Sequence, residues 1–194
     1  LIQSGQLGKA FLFDACWVVA SARRTGWWED PQMVGAYVLM ARGVHLMDLI
    51  YYLSGREPES VTMMSDGQRP DRPLEETAVA TLRLGEDILA TLAASRHAAG
   101  TQNSFSVYGT GGSLQCLGTI GPHPTGILRW VTAASTTETS YNAKDPYQEE
   151  IEAFNRAVRQ GAVPSASGLD GLRVVRITEA ALESARTGRA ISIT

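Results

Sequence analysis

Arg42, His45 and Asp48 stand three residues apart inside an otherwise apolar stretch, Gly35–Ser54 (GAYVLMARGVHLMDLIYYLS). At that spacing a helix brings all three close to one line of its surface. They are the only side chains of the segment that carry charge near neutral pH. An imidazole with a guanidinium and a carboxylate one turn away is suited to moving a proton near pH 7. Placing such a set in an apolar helix costs several kcal/mol unless the groups pair or line a cleft. The pattern alone leaves both readings open: a buried ion-paired group, or a proton-transfer site.

The other candidate groups offer less. His97 follows a β-prone run beside Arg96, and His123 lies between Pro122 and Pro124 in a loop. No HxxxH with a Glu occurs, so no metal site is expected. Gly109-Thr110-Gly111-Gly112 has strand-like residues on both sides and reads as a hairpin turn, not as a phosphate cradle at a helix N-terminus. No GxGxxG stands between a strand and a helix. These residues are therefore expected to hold no nicotinamide cofactor tightly by themselves. Cys16 and Cys116 lack CxxC spacing and read as two small buried thiols.

The elements that must position His45 can be traced along the chain. With 194 residues, 44% hydrophobic and 19% charged, it is long enough for one globular core. Seventeen Lys+Arg against twenty Asp+Glu leave a net charge of −3, without the basic excess that nucleic acid requires. No unbroken apolar run reaches about 18 residues, so no membrane span is expected, and the reading is of a cytoplasmic protein. Leu1-Ile2-Gln3-Ser4-Gly5 resembles the last turn of a helix with its glycine stop, which predicts a segment upstream.

Lys9–Val19 predicts a strand with Phe11, Phe13, Ala15 and Trp17 on one face, and residues 20–31 a loop. Residues 35–54 predict a helix apolar on nearly every side, hence buried, closed by Gly55. Residues 60–64, 77–84, 88–95, 104–108, 113–117 and 127–133 predict strands, several of them joined in hairpins. One sheet face is apolar, and the other carries Thr, Ser and Ala. Residues 146–160 predict a helix with the stripe Tyr147, Ile151, Phe154 and Val158. Residues 167–187 predict a final helix with Leu169, Leu172, Val175, Ile177, Ala180, Leu182 and Ala185 inward. The class is α+β: an open, mostly antiparallel sheet with helices on one face and the other face free for another subunit.

Gly35–Asp48 resembles the helix motif GGGxxxDxGxHxxD of the Gfo/Idh/MocA oxidoreductases. Leu1–Lys9, Trp28–Pro31, Glu76–Leu84, Val107–Leu114 and Ser167–Ile193 are similar to other segments of that family, in order along the whole chain. The resemblance implies that residues 1–194 form the C-terminal domain, which holds substrate and builds a homo-oligomer through its open sheet face. It also implies an N-terminal Rossmann domain, absent from this sequence, that carries NAD or NADP and the family's catalytic lysine. The substrate implied is a small sugar, polyol or related CH–OH compound, and the chain alone would be inactive. His45 matches the motif's histidine and is the expected catalytic residue. The aspartate four residues before it is replaced by Ala41, which leaves Asp48 as a substitute orienter; Ala36 and Tyr37 replace the second and third glycines. Arg23, Arg24, Trp27, Trp28 and Arg42 are the expected substrate-binding residues, the tryptophans for a sugar face and the arginines for an anionic group. The loss at position 41 also suits a non-catalytic binding or scaffold module of the same descent.

Overall fold

A computed structural model describes residues 1–22, 25–68, 70–122, 125–142 and 144–193. Alternation of side chains builds the sheet. In Thr77–Leu84 (β3), Ala78, Ala80, Leu82 and Leu84 are buried, whereas Val79, Thr81 and Arg83 face water. Ile88–Ser95 (β4) repeats the pattern across the turn at Gly85, whose φ of +58° favours a residue without Cβ. The other strands are Ala10–Val18 (β1), Pro58–Ser65 (β2), Gln102–Gly109 (β5), Gly112–Leu117 (β6), Thr125–Val131 (β7), Thr136–Asn142 (β8) and Ile191–Ser192 (β9). They form one nine-stranded sheet in the order β8-β7-β6-β5-β1-β4-β3-β2-β9. Only β1–β4 is parallel; every other pair is antiparallel.

The helices are Pro31–Val34 (α1), Val44–Ser54 (α2), Pro146–Gln160 (α3) and Gly168–Thr187 (α4). α2 lies over β1 and β4, and α4 over β2, on the same side of the sheet. Leu39, Leu46, Met47 and Ile50 meet Phe13, Ala15, Ala90 and Leu92 in one continuous core. This is the expected α+β arrangement, and β3 and β4 fall at the residues where a hairpin of two strands was expected.

α2 begins in an unusual way. Gly35, at φ +70°, ends α1, and Leu39–Gly43 then form one π turn that runs directly into α2. Gly43 lets the Leu39 side chain lie against the turn: a Cβ there would be 2.6 Å from Leu39 Cδ1, and that side chain would have to shift. The free amides at the start of the turn are held from a distant part of the chain. Glu75, fully buried, accepts from the Tyr37 and Leu39 N–H groups at 2.9 and 2.8 Å, and its own carbonyl accepts from Val38 N–H at 3.3 Å. A carboxylate beside three consecutive amides at a helix N-terminus also complements the helix dipole.

Several expectations fail. The helix of residues 35–54 is not sealed: Met40, His45, Asp48 and Tyr52 are exposed, because the sheet covers only one side of it. Within Pro31–Ser54 an 18-residue window has a mean hydropathy of 1.4, apolar enough by length and composition to cross a membrane. Here it serves as a core helix packed on the sheet. Residues 2–7 form successive turns, with Gly5 N–H donating to Ile2 O, and no helical end. Phe11 sits at an irregularity between Ala10 and Leu12 and turns outward, 46% exposed. Residues 20–31 contain a single helical turn, Gly26–Glu29. The stripe of α3 is real but lies in solvent, and Leu169, Leu172 and Val175 are exposed as well. β8 (TTETSYN), exposed along its full length, carries no apolar alternation and was not expected.

Candidate functional site

His45 projects from the side of α2 that the sheet does not cover, over Trp17 at the end of β1. The two ring centroids are 5.9 Å apart, inclined at 49°. Arg42, one turn earlier, brings its Cζ within 6.0 Å of the same indole, and its Nη2 donates to Ser21 Oγ at 3.0 Å. β1 therefore supplies an aromatic floor on which the imidazole and the guanidinium both rest.

Two other elements complete the concavity. Asn103 in β5 grips Ile120 at both backbone groups: Ile120 N–H donates to Asn103 Oδ1 at 3.0 Å, and Asn103 Nδ2 donates to Ile120 O. Gly118 N–H donates to Asn103 O at 2.7 Å, so the connection after β6 is fixed at two points. Gly121, at φ +120°, lies against the Trp17 ring. Asp145 caps α3 by accepting from the Tyr147 and Gln148 N–H groups, and Pro146 occupies the first helical position. This orients Tyr147 and Glu150, three residues apart, toward His45. The result is a cavity of about 300 Å³ lined by Trp17, His45, Ile120, Gly121, Pro122, Pro146, Tyr147 and Glu150. Its chemistry is one imidazole, one carboxylate, a phenol and an indole: groups that stack on the C–H face of a ring, accept from hydroxyls and exchange a proton.

Trp27 and Trp28 do not line this cavity. They stack on each other at 4.5 Å, and Trp28 stands edge-on to Tyr37 at 5.9 Å, within a satellite core of Val34, Tyr37 and Leu74. Arg23 and Arg24, and likewise His123, lie outside the described residues. His97 binds Glu76 at 2.5 Å beside the Arg96–Glu76 pair at 2.7 Å, which ties β4 to the start of β3. From sequence Tyr147 was read only as part of the α3 stripe, and Glu150 and Ile120 were not singled out. Pro146 after Asp145 marked where α3 begins, but nothing local indicates that its first turn meets α2.

Asp48, expected beside His45 as its orienter, is exposed and does not line the cavity. Partial burial pushes its carboxyl above its ordinary value, the Asp170 carboxylate at the start of α4 adds to the shift, and His45 opposes it. Asp48 therefore faces α4 as much as it faces His45. A carboxyl raised in the folded state stabilises the fold below its unfolded pKa, near 4, and that contribution is lost as pH rises through the folded value. Asp48→Asn should melt above wild type at pH 7, by about 1–2 °C for a surface site, and the gap should close as the pH falls to about 4. Thermal melts across that range check it; a gap that is constant with pH would contradict the assignment.

Among the described residues no group of three or more His, Cys, Asp or Glu could hold a metal ion. Among the described residues the glycine-rich turn, Gly109–Gly112, is a hairpin connection and not the start of a helix. It packs on the segment before β1: Gly111 N–H donates to Leu7 O, and Thr110 Oγ1 accepts from Lys9 N–H.

A sequence profile of the GFO/IDH/MocA C-terminal domain matches residues 1–115. The chain belongs to the GFO/IDH/MocA family. Its relatives are sugar oxidoreductases. A 1,5-anhydro-D-fructose reductase of Ensifer adhaerens is 23% identical over 99% of this chain and 58% of its own length. D-xylose 1-dehydrogenase (NADP(+)) 2 of Haloferax volcanii is 31% identical over 91 residues, 46% of this chain and 28% of that protein. Among solved structures, the aldose-aldose oxidoreductase of Caulobacter crescentus complexed with glycerol superposes with a TM-score of 0.87 at 20% identity, covering 99% of this chain and 58% of that one. Levoglucosan dehydrogenase in complex with NADH gives 0.81 at 19% identity, covering 100% and 61%. These structures share the fold. The GFO/IDH/MocA C-terminal domain here thus spans a little over half the length of the relatives it matches.

Proposed function

We propose that this chain is the substrate-holding and self-associating half of an NAD(P)-dependent oxidoreductase acting on a CH–OH or carbonyl group of a sugar or polyol. The observation that carries the reading is the position of His45: on the helix of the family motif, exposed, and opening into the cavity of Trp17, Tyr147 and Glu150. The dinucleotide is assigned to a separate Rossmann domain, since among the described residues no glycine-rich turn opens a helix that could take its pyrophosphate. This chain's contribution is to stack the sugar ring, anchor its hydroxyls and exchange the proton of the reacting oxygen at His45. The exposed stripe Ile151, Phe154 and Val158 of α3 supports a covering partner on that side, which we assign to the Rossmann domain. The replacement at Ala41 favours one alternative, a binding module of the same fold without turnover. The test is to join the chain to a family dinucleotide domain and assay aldoses and polyols for NAD(P)-linked oxidation; binding without turnover would select the alternative.

Self-association rests on the uncovered sheet face. Across β2, β3, β4 and β1 it presents Met64, Val79, Ala93 and Cys16 in one row and Thr62, Thr81, Thr91 and Asp14 in the next. Met64 is 78% exposed, and Val79 and Leu89 are each about half exposed. Such a flat, semi-apolar face suits an isologous contact burying at least about 1,000 Å². Light scattering should give the mass of a dimer at low micromolar concentration, and Val79→Glu with Leu89→Glu should give a folded monomer. A wild-type monomer at high micromolar concentration would refute the assignment.

A further inference from the structure

His45, Leu49 and Leu53 follow at i, i+4 and i+8 along α2, one line about 12 Å long at the helical rise. The line starts in the His45 cavity and ends in a second hollow of about 280 Å³ between α2 and the β5–β8 half of the sheet. Leu49, Leu53, Phe105, Cys116, Leu128 and Tyr141 wall this hollow, and Ile120 is the wall it shares with the first. The shared wall is rigid, because Asn103 fixes both backbone groups of Ile120. Apart from the Thr119 hydroxyl, the Cys116 thiol and the Tyr141 phenol, the side chains lining the hollow are hydrocarbon. Roughly 150 Å³ of apolar space is enough to hold a benzene ring.

Two hollows that meet at Ile120, one polar at His45 and one apolar, together match one kind of ligand better than a bare sugar. Resting on the sugar-oxidoreductase reading above, we propose that the substrate is a sugar derivative bearing an aryl or short alkyl substituent. The polyhydroxylated ring lies at His45 and Trp17, and the apolar substituent sits over Ile120 in the Leu53–Cys116–Leu128 hollow. A free aldose would leave that hollow to water.

The test uses this chain with Cys16→Ser, so that Cys116 is its one thiol, and three probes: methyl, butyl and phenyl β-D-glucoside. The His45 imidazole resonances report the ring end, and the rate of Cys116 alkylation by N-ethylmaleimide reports the hollow. All three glucosides should shift His45, but only the butyl and phenyl compounds should slow alkylation. Three added methylenes at roughly three- to fourfold each give the butyl compound an affinity roughly 30- to 60-fold above the methyl one. Cys116→Phe, which fills the hollow, and Leu53→Glu, which charges it, should each remove that advantage while leaving the methyl compound unchanged; two variants guard against one failing to fold. Equal affinities with equal His45 shifts would overturn the apolar subsite and leave the sugar reading standing. No His45 response to any glucoside would overturn both. Alkylation slowed by phenol alone as strongly as by phenyl glucoside, without a His45 shift, would make the hollow unrelated to sugar binding and likewise overturn the proposal.

Discussion

His45→Ala, made in an enzyme that joins this chain to a dinucleotide-binding domain, should lower kcat by roughly 10²–10⁴-fold, the usual worth of a positioned acid–base group. KM should change little, because stacking on Trp17 and hydroxyl contacts from Glu150 and Tyr147 remain. The fold should survive, since the imidazole is exposed and its removal leaves no internal void. The pH profile separates proton transfer from mere packing: the limb of kcat/KM that reports the imidazole should vanish in the variant. Full turnover in the variant would move the assignment to the non-catalytic module.

The largest effect on stability is expected at Glu75, far in sequence from the helix it serves. Glu75→Ala removes the acceptor for the Tyr37 and Leu39 N–H groups and the partner of Gln68 Nε2 at 2.9 Å. Two buried amides without acceptors should cost roughly 3 kcal/mol, lowering Tm by about 6–12 °C. Glu75→Gln keeps one acceptor oxygen and should lose about half as much. Glu57→Ala is the control: its ion pair with Arg173 at 2.9 Å is solvent-exposed and should be worth less than about 1 kcal/mol. Equal melting of the Glu75 and Glu57 variants would remove the capping role. Because Glu75 anchors the π turn that precedes His45, its loss should also broaden the His45 resonances.

What could be read from residues alone follows a physical division. β3 and β4 were legible to the residue, because one face is core and the other water, and period two records that difference. β8 was not, because neither face is buried and exposure leaves no period. The stripe of α3 correctly announced a helix, yet a stripe states only that some surface is apolar, not that this chain covers it. α2 misled in the opposite sense: apolar on nearly every side, it suggested complete burial, while the sheet covers one side and leaves His45 open. At the site, the motif gave His45, and the charge one turn before it gave Arg42. Glu75, Tyr147, Glu150 and Ile120 act through contacts of long sequence separation, for which local spacing carries no signal.

The single parallel pair in the sheet sets a problem of timing. β1 lies at the centre, yet Asp14 meets its β4 neighbour Thr91 across 77 residues, and its β5 neighbours come later still. At 5–20 residues per second on the ribosome, the strand that will carry Trp17 waits roughly 4–15 s with both edges unpaired. The β2–β3 hairpin can form in that interval and β4 then adds to it, so β1 must be captured by a sheet already partly made. Nascent chains in which residue 87 has emerged but β4 has not should therefore show the β2–β3 hairpin formed with residues 10–18 still open to protease, and this strand should be the region where crowding, chaperones and aggregation compete for the chain.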